Sequence, residues 1–317
     1  MKKRIRVAFA GFSNNCRLED RYVYRILSRR FEIIPTARDP DYLIDHGWFS
    51  DCLRYERPIR ILLSGENSVP DFNAYDYAMG HNHVNFGDRY LRSPLFAHWS
   101  CFPGLVRRES TRSDSELLNR GFCSFVVSNA RYGDPIREKF FRRLSQYKRV
   151  DSGGRFLNNI GGPVKDKLAF CRNYKFNIAF ENSAYPGYTT EKIMEAYAAE
   201  TVPIYFGNPT VETDFRPESM VRVCDESDIE RAVEEVVRLD RDDAAYLAKC
   251  RERCFAVPDP MVYERELEAF LVHIFEQPLE QARRRARYGY QAMMREHMRK
   301  VMTIDRWVGR VRKALHV

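Results

Sequence analysis

Glu191 and Lys192 stand where a short apolar run gives way, through a polar turn, to a helical pattern, and Tyr188 lies just before them. Within 176–209 (FNIAFENSAYPGYTTEKIMEAYAAETVPIYFGNP) the turn bends at Pro186 and Gly187, and Thr189 or Thr190 can cap the helix. A helix N-terminus with free N–H groups, a lysine and a phenol on a rigid ring suit an anion such as a diphosphate. The same Glu191 and Lys192 also read as solvated first-turn residues. Arg137 is a second cation of this kind, because Asp134 and Pro135 mark a helix start and put it in the first turn. Arg155 follows Gly153 and Gly154, a backbone able to approach a ligand. Glu66 stands just past an apolar run, where a catalytic group can face a cleft or a carboxylate can sit in a loop bound to backbone N–H groups. His81 and His83 have no third ligand at a supporting spacing and read as loop histidines. Cys250 and Cys254, one helical turn apart, read as packing residues.

The elements that position these residues alternate. Ile5–Ala10, Phe31–Pro35, residues 60–64 and Tyr75–Met79 read as strands, with a helix over Asp20–Arg30, a mixed stretch at Tyr42–Phe49 and a charged loop at Asp88–Arg92. Val106–Arg120, polar and serine-rich, reads as an interdomain linker. Beyond it come strands at Phe122–Ser128, Phe176–Phe180, Val202–Phe206 and Met220–Val223, with helices from Pro135, Thr190 and Asp228. In parallel α/β sheets, ligands bind beyond the carboxyl ends of the strands.

With 317 residues the chain has room for two domains with their own cores. No apolar stretch approaches transmembrane length, and MKKRIRVAFAGFSNN reads as a first strand rather than a signal peptide. Eight scattered cysteines without a CxxC pair point to reduced thiols in a cytoplasm. The net charge of +8 resides in residues 278–317, which hold eleven Lys and Arg against three acids, so the remainder is neutral and no nucleic-acid surface is expected. Met294, Val301, Val308 and Leu315 recur every seven residues there, with Ile304 and Val311 between them. That amphipathic pattern suits an anionic membrane, a second chain, or packing back onto the protein.

Several motifs in order carry a family resemblance. FENS (180–183), GYTTEKI (187–193) and VPIYFGNP (202–209) resemble the signature of the α-1,3-fucosyltransferases, the bacterial branch above all. SGEN (64–67), PDFN (70–73), DYAMG (76–80), DRYLR (88–92) and NRGFCSFVVSN (119–129) extend the likeness. The resemblance implies a GT-B α/β fold: two Rossmann-like domains facing a central cleft, residues 1–112 for the acceptor and 113–277 for the donor, plus the basic helical tail 278–317. It implies inverting transfer of L-fucose from GDP-fucose to a glycan hydroxyl, such as the 3-OH of GlcNAc in LacNAc or a lipopolysaccharide O-antigen. Glu66 then matches the general base, and Arg137, Tyr188, Glu191 and Lys192 donor-binding positions, with Asn182 and Arg155 as further candidates. No metal is required in this reading, and the expected location is cytoplasmic, with peripheral contact at the inner face of the membrane through 278–317. Transfer from another GDP-sugar, or a non-catalytic protein that binds nucleotide-sugar or membrane, fits the same motifs.

Overall fold

The computed structural model describes residues 2–12, 17–47, 52–106 and 112–314, with side chains to residue 310. Cys16, Phe49, Leu315 and the side chain of Val311 therefore lie outside what is described here. The chain forms two compact units: Met1–Gly80 with Val84–Ser93 and Glu264–Val317, and His81–His83 with Pro94–Tyr263.

The first unit is built on β1 (Lys3–Ala10), β2 (Phe31–Pro35), β3 (Tyr42–Asp45), β4 (Ile59–Leu63), β5 (Tyr77–Gly80) and β6 (Tyr90–Arg92). Their order is β2-β1-β3-β4-β5-β6 and every pairing is parallel. β3, β4 and β5 are buried along their whole length; β4 and β5 read as strands for that reason, whereas β3 lies in the stretch that read as mixed. One face packs against Val23, Ile26 and Leu27 of the Tyr22–Arg30 helix and Leu267, Leu271 and Ile274 of the Val262–Glu276 helix.

The second unit holds β7 (Gly121–Phe125), β8 (Val150–Ser152), β9 (Tyr174–Phe180), β10 (Val202–Phe206) and β11 (Val221–Arg222), ordered β11-β10-β9-β7-β8 and again all parallel. Both sheets are thus wound outward from an internal pair, β1/β3 in one and β7/β9 in the other. Ligand crevices open at such switch points, beyond the carboxyl ends of the strands.

Three expectations are corrected. Asp88–Arg92 is not wholly a loop, because Tyr90–Arg92 pairs as an edge strand with Ala78–Gly80. Among its described residues, the segment expected as a linker contains the Asp114–Leu118 helix of the second unit. A reciprocal Ser113–Glu116 capping box starts this helix, and Leu117 enters the core. The basic tail does not stand apart as a domain. Buried Asp76 accepts backbone N–H bonds from Arg284 (2.9 Å) and Arg285 (2.8 Å) and pairs with the Arg285 side chain at 2.8 Å, which ties this stretch into the first unit. The helix Tyr290–Ala314 follows, and no side chain of its residues 290–310 is buried.

Gly154 lets its loop pass against β7's exit, since a Cβ there would lie 1.9 Å from the Val127 carbonyl oxygen. Gly154→Ala is expected to cost about 3 kcal/mol or more through backbone displacement. Urea unfolding with intact slope would measure it, and a loss below about 1 kcal/mol would contradict the packing argument.

Candidate active site

A cavity of about 290 Å³ opens beyond the ends of β7 and β9, at the second unit's switch point. Its walls come from Val126–Asn129 after β7, Tyr132, Gly133 and Arg137, Asn182 after β9, Glu191 and Lys192 at a helix start, and Lys167.

Arg137 lies in the first turn of the Ile136–Ser145 helix, whose entry is fixed by the Ile136 N–H donating to the Asp134 carboxylate (3.0 Å). Its guanidinium is 3% exposed, donates from Nη1 to Asn182 Oδ1 at 3.1 Å, and has an Nε without a partner. Burial pulls its pKa down, opposed by Glu181, Tyr188 and Asp134. A guanidinium keeps its charge through such a shift, so an unspent charged donor lines the cavity. Gly133 makes room for it, because a Cβ there would meet Nη1 at 2.4 Å.

The loop from β9 to the Glu191–Ala198 helix is fixed by a buried carboxylate. Glu181, fully inaccessible, accepts the Thr190 N–H and hydroxyl at 2.7 Å each and the Lys192 ammonium at 3.1 Å. The capping threonine thus spends its side chain on Glu181 and not on its own helix. Lys192 also donates to Thr190 Oγ1 (3.0 Å) and to Glu191 (3.2 Å), so all three of its N–H groups are used. Burial alone would lower the lysine pKa; Glu181 and Glu191 outweigh it and hold the pKa above the usual lysine value. Burial raises Glu181, against the pull of Lys192, while Lys192 and Lys167 outweigh burial at Glu191 and lower it. Of the two carboxylates that hold Lys192, Glu191 is the more open, its side chain 23% exposed, whereas that of Glu181 is wholly enclosed.

Gly207, at φ +147°, admits Glu181: a Cβ would sit 2.4 Å from its Cγ. Asn208 staples the turn, accepting the Gly187 N–H at 2.7 Å and donating to Thr189 at 3.0 Å.

Of the donor positions expected from sequence, Arg137, Asn182, Glu191 and Lys192 meet around this cavity. Tyr188 does not line it. It is buried edge-on against the ring of His81 (5.0 Å between centroids), within electrostatic range of Arg137 and Lys192. Arg155 does not line it either: it is exposed, and only its backbone N–H reaches the rim, at Ser128 (3.4 Å). His81 and His83 both lie in a loop, as expected; His81 is buried there, and His83 pairs with Thr210 at 3.1 Å. Cys250 and Cys254 are packed in two different cores. Glu66 lies in the first unit after β4, exposed, its carbonyl accepting the Ser64 hydroxyl (3.0 Å) and the Ser68 N–H (2.8 Å).

Sequence reasoning missed Glu181 and Lys167. An acid ending an otherwise apolar strand is a visible signal for the first. Lys167, paired with Glu195 at 2.6 Å, has none in its exposed-looking context.

The family description "Alpha-(1,3)-fucosyltransferase FucT N-terminal domain" matches residues 7–99, and "Glycosyltransferase family 10 (fucosyltransferase) C-term" matches residues 119–254. The Helicobacter pylori α-(1,3)-fucosyltransferase FucT is 34% identical over 278 residues, which is 76% of this chain and 58% of that protein; the chain spans little more than half of its relative's length. A crystal structure of an α1,3-fucosyltransferase superposes with a TM-score of 0.79 at 28% identity, over 91% of this chain and 94% of that one. A crystal structure of α1,3-fucosyltransferase with GDP-fucose gives 0.74 at 29% identity, over 87% and 92%.

Removing one partner of the buried pair leaves the other uncompensated. Glu181→Ala is expected to destabilise the protein by about 3 kcal/mol, the lower end for a buried pair, since Lys192 keeps some solvent contact. Glu181→Ala combined with Lys192→Met should recover part of that loss in urea unfolding. Simple additivity of the two substitutions would argue against the coupling.

Proposed function

Since the chain belongs to the family-10 α-1,3-fucosyltransferases and has their GT-B fold, we propose that it transfers L-fucose from GDP-fucose to a glycan hydroxyl with inversion. The observation that carries the reading is the buried Arg137 guanidinium, tethered by one hydrogen bond to Asn182, at a switch-point cavity beside Lys192 and a helix N-terminus. A donor diphosphate there meets charged donors that are already desolvated and need little rearrangement. As the bond between the fucosyl carbon and the β-phosphate oxygen breaks, its electron pair leaves with GDP. Arg137 and Lys192, with Lys167 nearby, stabilise the charge that builds on the phosphate. Glu191, which would repel phosphate, suits the ribose hydroxyls, and Asn182 keeps Arg137 in place. Tyr188, buried edge-on against His81, supports the loop behind the cavity.

The acceptor oxygen forms the new bond on the face opposite the leaving group and gives its proton to Glu66, the base assigned by its motif and its place past β4. A base of this kind contributes on the order of 10²–10⁴-fold. The acceptor is a LacNAc-type glycan or a surface polysaccharide such as an O-antigen, fucosylated at the GlcNAc 3-OH. These cations do without a metal in the proposed reaction. No helix among the described residues is long and apolar enough to cross a membrane. Exposed Met293, Ile304 and Trp307 on the Tyr290–Ala314 helix, interleaved with its basic residues, support peripheral contact with the inner face of an anionic membrane.

GDP release is the test, with GDP-fucose, GDP-mannose and UDP-sugars each offered beside LacNAc and lactose. Acceptor-dependent turnover of GDP-fucose alone, unchanged by EDTA, is expected; turnover of another donor or loss in EDTA would revise donor or metal respectively. Glu66→Ala should lower turnover by at least about 10²-fold while GDP binding stays intact. Lys192→Ala should weaken both. Lost GDP binding in Glu66→Ala would remove the base assignment.

A further inference from the structure

Six arginines of the first unit, Arg60, Arg283, Arg285, Arg287, Arg295 and Arg299, line a second cavity of about 230 Å³. Among the described residues, two of them spend their charge on carboxylates: Arg285 on Asp76 and Arg299 on Glu56. The cavity's other acid, Glu296, is paired with Lys300 at 2.9 Å. Three of the remaining guanidiniums are held by neutral main-chain oxygens. Arg60 donates to the carbonyls of Tyr55 (2.7 Å) and Ala74 (3.1 Å), Arg295 to those of Asn73 (3.1 Å) and Ala286, and Arg283 to that of Arg57. Carbonyls fix the position of a guanidinium without cancelling its charge, so four arginines face one small space uncompensated. Arg60 is buried while doing so, beside the equally buried Arg285. Burial first, then the neighbouring Arg60 and Arg283, push Arg285 down to about 10 despite Asp76. Like charges held together at this cost are stabilised by an anion between them.

We propose that this cavity binds a phosphate or diphosphate group, as a site separate from the donor cavity. The planar, multiply donating guanidinium matches phosphate oxygens two at a time, and a group with two or more charges balances the excess that a single carboxylate cannot. The volume admits a group of this size, and Arg287 with the exposed Tyr288 stands at its edge. The phosphate is supplied either free in solution or as the headgroup of a lipid, the adjoining Tyr290–Ala314 helix carrying exposed apolar side chains.

Titration calorimetry of the full chain with pyrophosphate, after saturation with GDP, reads the site directly. A second binding event, weakened at least tenfold in Arg287→Gln/Arg295→Gln, is expected for a free anion. A lipid source instead gives no such event but stronger retention on phosphatidylcholine vesicles containing phosphatidic acid than on vesicles of equal charge made with phosphatidylglycerol, lost in the same variant. Unchanged GDP affinity and thermal midpoint show that the variant is folded, and Arg287→Gln alone, at an exposed position, gives a milder second test. Should GDP itself not bind, the difference between wild type and variant in pyrophosphate alone still reports on the arginines. Absence of both kinds of binding, or binding indifferent to the substitutions, overturns the proposal.

Discussion

The buried carboxylate of Glu181 is the constraint on which the second unit's site depends. At the end of β9 it accepts a backbone N–H, a hydroxyl and an ammonium, all from the next three-residue step into a helix. An enclosed carboxylate without such partners would be driven to its neutral form. Each partner is therefore held as firmly as the burial is costly. Gly207 belongs to the same constraint, because only the absence of a Cβ lets Glu181 occupy the space beside β10's exit. The motif residues around 180–209 are thus one mechanical assembly: an acid, a capping threonine, a lysine, a glycine without which the acid has no room, and an asparagine that staples the turn.

The topology explains where that assembly is useful. Winding the sheet outward from β7 and β9 leaves a crevice between the loops that follow them, since those loops depart to opposite faces. The Ile136–Ser145 and Glu191–Ala198 helices start at this place, bringing Arg137 and Lys192 with them. Their charges are not equivalent. Lys192 is saturated by protein acceptors, whereas Arg137 retains an unspent donor.

Electrostatics divides the chain differently from its cores. All of the net charge lies in residues 278–317, yet that stretch is not simply a solvated basic face. Asp76 draws Arg285 inside and fixes two backbone N–H groups, and main-chain carbonyls hold further guanidiniums in place. The beginning of the tail is therefore structural, and the chain becomes largely exposed from Ala286 into the helix that follows.

Val202–Phe206 was legible to the residue because burial on both faces leaves an unbroken apolar run, and the edge strand Phe31–Pro35, only partly buried, was legible from its β-branched and aromatic residues. The entry of the Glu191 helix and the first-turn position of Arg137 were legible because capping and proline chemistry are local. Asp114–Leu118 was misread although its Ser113–Glu116 box was in view, because a serine-rich composition masked a spacing signal. Tyr188 and Arg155 lie off the cavity wall for a reason no local pattern carries: their side-chain directions follow from His81 and from the path of the Gly153–Gly154 loop. What the sequence determined by itself is which segments are buried and which polar residues stand at their ends. Only the tertiary structure decided that Arg137, Lys167, Asn182 and Lys192 share one cavity and that six arginines share another. Periodicity and capping act over a few residues, whereas those convergences depend on which strands are neighbours in the sheet and on how the chain's last stretch folds back to Asp76.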